Sequence, residues 1–153
     1  MTPRWSRRFV LAGLAALAAP TVRAEGRAIV SAAEAAAGLA ADDMVVIDIR
    51  APQEWAETGV AQGAWPVSMH TPDFAPRLRA ALDLAGGRTV ALICATGGRT
   101  AYVQDILTRN GVPGVADVSE GMLGSGRGPG WIAAGLPVVD ADAAVEALPQ
   151  ELR

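Results

Sequence analysis

The segment Thr89-Val90-Ala91-Leu92-Ile93-Cys94-Ala95-Thr96-Gly97-Gly98-Arg99-Thr100 runs from an apolar stretch through a glycine-rich turn into the start of a helix. Its uncharged, aliphatic and β-branched first part reads as a strand covered on both faces. The two glycines turn the chain, and residues 99–110 then form a helix closed by Gly111. Strand, turn and helix in that order point to a parallel sheet, whose neighbouring strands need a crossover helix between them. Residues 44–49 repeat the strand pattern upstream, and Gly86-Gly87 leads from a helix over residues 73–84 into Thr89.

Weaker elements fit around these two strands. Residues 28–30 form a short strand, and Ser31-Ala32-Ala33-Glu34 has the spacing of a capping box before an alanine-rich helix expected to end at Gly38. Residues 52–57 form a short helix, residues 65–68 a brief strand and residues 115–118 a further strand. The glycine-rich residues 121–130 form a loop, and residues 131–134 make one helical turn before Gly135-Leu136-Pro137-Val138-Val139. The alternation predicts an α/β fold: an open, mainly parallel sheet with helices on both faces. No internal repeat interrupts it.

Composition narrows the chemistry. The chain has 153 residues, 51% hydrophobic and 19% charged, which is globular. All 13 basic residues are arginine, so a Walker-type phosphate loop and a Schiff-base lysine are both excluded. One cysteine and one histidine exclude a Cys/His zinc site and an intramolecular disulfide. No metal site is expected. Carboxylates, hydroxyls, arginines and the single Cys94 remain.

The first 24 residues read as an address. Arg4, Arg7 and Arg8 precede an apolar run over residues 9–19, too short to span a bilayer, which takes about 20 residues. Pro20 ends the run, and Val22-Arg23-Ala24 has the small-residue spacing of a cleavage site. Ser6-Arg7-Arg8-Phe9-Val10-Leu11 resembles a twin-arginine export signal. The expectation is an export signal over residues 1–24, a single domain over residues 25–153 and a bacterial periplasmic location. Removing four arginines leaves nine basic against 16 acidic residues, a net charge of −7. Such acidity argues against nucleic acid or a membrane surface as partner.

Sites in open α/β sheets form outside the carboxyl ends of the strands, where Cys94 stands. A lone cysteine there is ordinarily a small buried hydrophobe. Here two glycines, an arginine and a helix start follow within six positions. Successive backbone N–H groups of Ala95, Thr96, Gly97, Gly98 and Arg99 are expected to curl toward the sulfur, and the helix N-terminus adds positive potential. Both favour a thiolate, as does Arg99, while Thr96 and Thr100 offer hydroxyls beside it.

At these residues the chain resembles the rhodanese family of sulfurtransferases. Cys94-Ala95-Thr96-Gly97-Gly98-Arg99-Thr100 is similar to the family's active-site loop. Val46-Ile47-Asp48-Ile49-Arg50 with Glu54-Trp55 resembles its Asp-x-Arg…Glu-aromatic segment. Gly59, Gly63 and Ala64 match its Gly-His-Ile-Pro-Gly-Ala stretch, where Val60 and Gln62 depart from the histidine and proline. Glu120-Gly121, Trp131 and Ala134-Gly135-Leu136-Pro137-Val138 resemble its closing segment.

The resemblance implies a rhodanese-like fold and a thiosulfate:cyanide sulfurtransferase-like enzyme. Cys94 would carry sulfane sulfur as a persulfide, from a small donor to a nucleophilic acceptor such as cyanide or a protein thiol. It also implies no cofactor, a loop-anchoring Arg99, and structural ion pairs for Asp48, Arg50 and Glu54. The loop has only small neutral residues between Cys94 and Arg99, so it lacks the extra cation that a doubly charged donor such as thiosulfate favours. The related phosphatases and arsenate reductases carry five residues at this point, against four here. A non-catalytic rhodanese-like binding or sulfur-delivery module for a dedicated protein partner is the alternative. His70 and Arg127 are the remaining residues that would border a substrate, and Trp131 belongs to the core.

Overall fold

A computed structural model describes residues 28–153. The expected export signal, residues 1–24, lies outside the described residues. In chain order the elements are β1 (Ile29–Val30), α1 (Ala32–Ala40), β2 (Met44–Asp48), α2 (Pro52–Thr58), β3 (Val60–Ala61), β4 (Trp65–Pro66) and α3 (Phe74–Leu84). Then come β5 (Thr89–Ile93), α4 (Gly98–Arg109), β6 (Ala116–Val118), α5 (Gly130–Ala133), β7 (Val138–Val139), α6 (Ala141–Glu146) and a closing 3-10 turn (Gln150–Leu152).

Five strands make one sheet in the order β1-β6-β5-β2-β4, and every pairing in it is parallel. The two strands predicted most strongly, β2 and β5, lie side by side in its middle, in register from Met44 against Thr89 to Asp48 against Ile93. Their side chains alternate between two cores, as the two-residue strand period requires. Val46, Ala91 and Ile93 face Ala32 and Ala35 of α1, Trp131 of α5 and Ala144 of α6. Val45, Ile47, Leu92 and Cys94 face Leu78 and Ala81 of α3, Val103 of α4 and Leu152. Helices therefore cover both faces. Among the described residues no helix is long and apolar enough to cross a membrane.

The capping box forms as read: Ser31 Oγ accepts from the Glu34 amide at 3.1 Å, and Glu34 Oε2 accepts from the Ser31 amide at 2.7 Å. The expected stop at Gly38 does not. Helix α1 continues to Ala40, and the chain reverses at Asp42, which takes the left-handed φ of 56°. A side chain at position 38 would collide with Met44, so this glycine serves close helix–strand packing.

Two features were not foreseen. The antiparallel pair β3–β7 makes a second small sheet, and α6 with the 3-10 turn follows it. The indole of Trp131 fixes this return, its Nε1–H donating to the Pro137 carbonyl at 2.9 Å.

At the end of β2, Asp48 and Arg50 form a fully buried pair, with Arg50 Nη2 2.7 Å from Asp48 Oδ2. Arg50 also donates to the Gly59 carbonyl at 2.8 Å and to Thr58 Oγ1 at 2.7 Å, which ties α2 to the sheet. Removing one partner of such a pair strands the other charge out of water. Asp48→Ala is expected to lower stability by about 3–5 kcal/mol, read from urea unfolding.

Candidate active site

Cys94 follows the last residue of β5 and is 1% exposed. Its position past the carboxyl end of a central strand follows from the crossover topology. Gly97 caps α4 with a φ of 85°, a left-handed conformation that glycine adopts without a Cβ penalty. A Cβ there would also run into the Ser119 carbonyl, and one at Gly121 into the Ala95 carbonyl. The loop is thus pressed backbone to backbone against the segment that follows β6. Two hydrogen bonds hold the contact, from the Met122 amide to the Cys94 carbonyl at 2.8 Å and from the Leu123 amide to the Ala95 carbonyl at 2.9 Å.

The Cys94 and Ala95 carbonyls are thus taken up by the bracing segment. The Gly97 amide donates to Cys94 Sγ at 3.2 Å. Thr100 Oγ1 lies 3.6 Å from the same sulfur and is buried. It lies 2.9 Å from the Gly97 carbonyl and 2.5 Å from Asp117 Oδ1. Thr96 and Gly98 are exposed and Ala95 is half-buried, so the hydroxyl beside the sulfur is that of Thr100 and not that of Thr96.

Arg99 is held from outside the loop. Its Nη1 and Nη2 each lie 2.6 Å from an oxygen of Glu54, a bidentate pair joining α4 to α2. Glu54 Oε2 also accepts from the Ala51 amide at 3.0 Å, so the carboxylate is fixed at the helix start. The Arg99 guanidinium holds the Glu54 carboxyl down at about 2. The Glu54 hydrogen bonds in turn hold Arg99 charged, with the nearby Cys94 and Asp48 charges adding to the effect. His70 Nε2 stands 3.3 Å from Arg99 Nη1 on the exposed side.

The candidates therefore divide. Cys94, Gly97, Arg99 and Thr100 come together, with His70 at the edge through Arg99. Arg127 is exposed in the glycine-rich loop, where its amide donates to Ser125 Oγ at 3.1 Å. Asp48 and Arg50 pair with each other, whereas Glu54 belongs to Arg99. Asp117 was missed. The available signal was an acid set between Ala116 and Val118 in a strand whose residues are all buried. Two shallow apolar clefts, about 350 and 230 Å³, flank Gln62-Gly63, and neither is lined by a loop residue. Among the described residues no group of three or more His, Cys, Asp or Glu is placed to hold a metal ion.

The family model for the rhodanese-like domain matches residues 31–124, more than half of the chain. The chain belongs to the rhodanese-like domain family. No curated protein matches it significantly. Among solved structures it resembles a Rhodopseudomonas palustris protein of unknown function, described as a possible tyrosine phosphatase. Identity is 23% and the TM-score 0.53, over 74% of this chain and 85% of that one. The M. tuberculosis protein Rv0390 is similar at 23% identity and a TM-score of 0.52, over 72% and 95%. The polysulfide-sulfur transferase homodimer of Wolinella succinogenes gives 22% identity and 0.49, over 74% and 79%. At these identities the likeness bears on fold alone.

The depressed Glu54 carboxyl makes part of the stability pH-dependent. The contribution is fully present above about pH 4.5 and is lost as pH falls toward about 2. Glu54→Gln should lower stability at neutral pH by about 1–2 kcal/mol, allowing for solvent screening of a part-exposed pair. Unfolding free energies measured across pH should show the wild-type advantage disappearing over that acid window.

Proposed function

We propose that the protein is a sulfurtransferase that carries sulfane sulfur as a persulfide on Cys94. The observation that supports this is the loop itself: a thiol at the end of β5, an amide hydrogen bond from Gly97, and Arg99 after four intervening residues. In the first half-reaction the Cys94 thiolate attacks the outer sulfur of a donor. The Sγ–S bond forms as the bond from that sulfur to its leaving group breaks, and the leaving group departs with the electron pair. In the second, a nucleophile attacks the outer sulfur and the pair returns to Sγ. With cyanide the product is thiocyanate. The inward amides and the N-terminus of α4 stabilise the negative charge on the outer sulfur.

The charge balance bears on the donor. Arg99 is neutralised by Glu54, and no other cation stands between Cys94 and Arg99. Dipoles rather than net positive charge face the sulfur, which suits a singly charged sulfane donor such as a small persulfide better than thiosulfate. The same pairing disfavours phosphate-ester chemistry, since the arginine that would clamp three equatorial oxygens is already held on a carboxylate. The acceptor is external, because no second cysteine exists to take the sulfur within the chain.

Incubated with a small persulfide donor, the protein should gain the mass of one sulfur atom, and Cys94→Ser should not. Cyanide should then release that sulfur as thiocyanate, with loading from the persulfide faster than from thiosulfate. An unchanged wild-type mass with several sulfane donors overturns the proposal.

We also propose export to the periplasm, on the strength of residues 1–24 as a sequence. N-terminal sequencing of the protein from an expressing bacterium should begin near Glu25. Full-length protein confined to the cytoplasm contradicts it.

A further inference from the structure

His70 stands exposed in the turn between β4 and α3, its backbone amide donating to Ser68 Oγ at 3.2 Å. Its ring Nε2 lies 3.3 Å from Arg99 Nη1. A guanidinium has only donors, so this contact is a hydrogen bond only when Nε2 accepts. The ring is then neutral and carries its proton on Nδ1, the minor form of free histidine in water. The same Nη1 donates to Glu54 Oε2 at 2.6 Å, and Nη2 donates to Oε1 at 2.6 Å. His70, Arg99 and Glu54 therefore form one cluster without net charge, drawn from the turn, α4 and α2. The cluster is within electrostatic reach of the sulfur, since the Cys94 charge helps to hold Arg99 protonated.

Imidazole is the side chain whose charge ordinarily changes between about pH 5 and 8. A proton added at Nε2 ends the contact with Arg99, because two N–H groups then face each other. The guanidinium stays charged, and the Glu54 carboxyl, held down at about 2, stays ionised. The cluster thus passes from no net charge to one positive charge. The other charged groups around the turn do not cancel it. Asp48, at the end of β2, is paired with Arg50. Asp73, at the start of α3, is engaged by Thr71 and lies 4.0 Å from Arg77. The loop brings no charged side chain between Cys94 and Arg99. We propose that His70 selects the sulfur donor by charge. Uncharged, it leaves the mouth of the site to neutral and singly charged donors; protonated, it supplies the cation that admits a dianion such as thiosulfate. The residue acts on the donor and not on Sγ, and its effect on turnover rests on Cys94 being the sulfur carrier.

The chain has one histidine, so its ring resonances are unambiguous in the untagged full chain. Above neutral pH, nitrogen NMR of the ring should show Nδ1 protonated and Nε2 bare. Sulfate, a dianion that transfers no sulfur, should raise the midpoint of the ring's titration, and sodium chloride at equal ionic strength should not. A dianion bound about tenfold more tightly by the charged ring raises that midpoint by about one pH unit at saturation. The rate of thiosulfate loading on Cys94, divided by that of an uncharged trisulfide, cancels the titration of the thiol itself. In the wild type this ratio should rise by the same factor as pH falls through the midpoint. It should stay flat and low in His70→Gln, and high at every pH in His70→Arg. A neutral ring protonated on Nε2, a midpoint that sulfate leaves unmoved, or a ratio as flat in the wild type as in His70→Gln overturns the proposal. The two NMR readings use the wild type and no sulfur donor. They decide the charge at the mouth even where no donor loads Cys94, a result that overturns the sulfurtransferase reading instead.

Discussion

Everything around Cys94 depends on how closely two backbones approach. Gly97 lies against the Ser119 carbonyl and Gly121 against the Ala95 carbonyl, at positions where any Cβ would collide. The approach lets the Met122 and Leu123 amides take the Cys94 and Ala95 carbonyls. With those carbonyls taken up by the bracing segment, the Gly97 amide donates to Cys94 Sγ. The amide contact on the sulfur therefore follows from glycine placement, and no charged side chain stands between Cys94 and Arg99. Glu120 secures the bracing segment, its carboxylate accepting from the Ala32 amide at 3.3 Å and the Gly130 amide at 3.1 Å. It thereby ties the starts of α1 and α5 to the segment that grips the loop.

The same economy governs charge. Asp48 with Arg50, Glu54 with Arg99, and Glu120 on helix amides are each satisfied within the fold. Buried and half-buried charges seldom raise net stability when paired, but they are costly to leave alone, so they fix geometry. Arg50 joins α2 to β2, and Arg99 joins α4 to α2. The two pairs set the helix that carries Glu54 against the loop that carries Cys94. What the loop itself brings to the sulfur is an amide and a hydroxyl, with no charged side chain between Cys94 and Arg99.

The sequence carried the central fold because its signals there were local. Residues 89–93 and 44–48 show uninterrupted strand patterns, and both belong to the middle of the sheet. The β3–β7 pair escaped because two-residue strands carry no periodicity, and α6 because six residues are too few to show a helical repeat, even with Asp140 at the N-cap position. Gly38 misled because a glycine late in a helix reads as a stop, whereas this one makes room for Met44. Of the site, Cys94 and Arg99 were legible through the loop spacing. The partner of Arg99 was not, since Glu54 is 45 residues away and had an equally plausible neighbour in Arg50. Asp117 was hidden in the same way, placed under Thr100 only by the β5–β6 pairing.

Burial of the thiol and the proposed transfer to an external acceptor look opposed, and the proposed persulfide would reconcile them. A bare Sγ at 1% exposure is a poor partner for a large acceptor. Adding one sulfur extends the side chain by an S–S bond of about 2 Å. The transferable atom would then lie outward from the thiol, with Sγ kept against the Gly97 amide and the Thr100 hydroxyl. In a persulfide the negative charge would move outward with it, toward the exposed rim at Thr96 and Gly98. A cysteine so deeply buried at a strand end suits carrying an atom more than presenting a bare nucleophile.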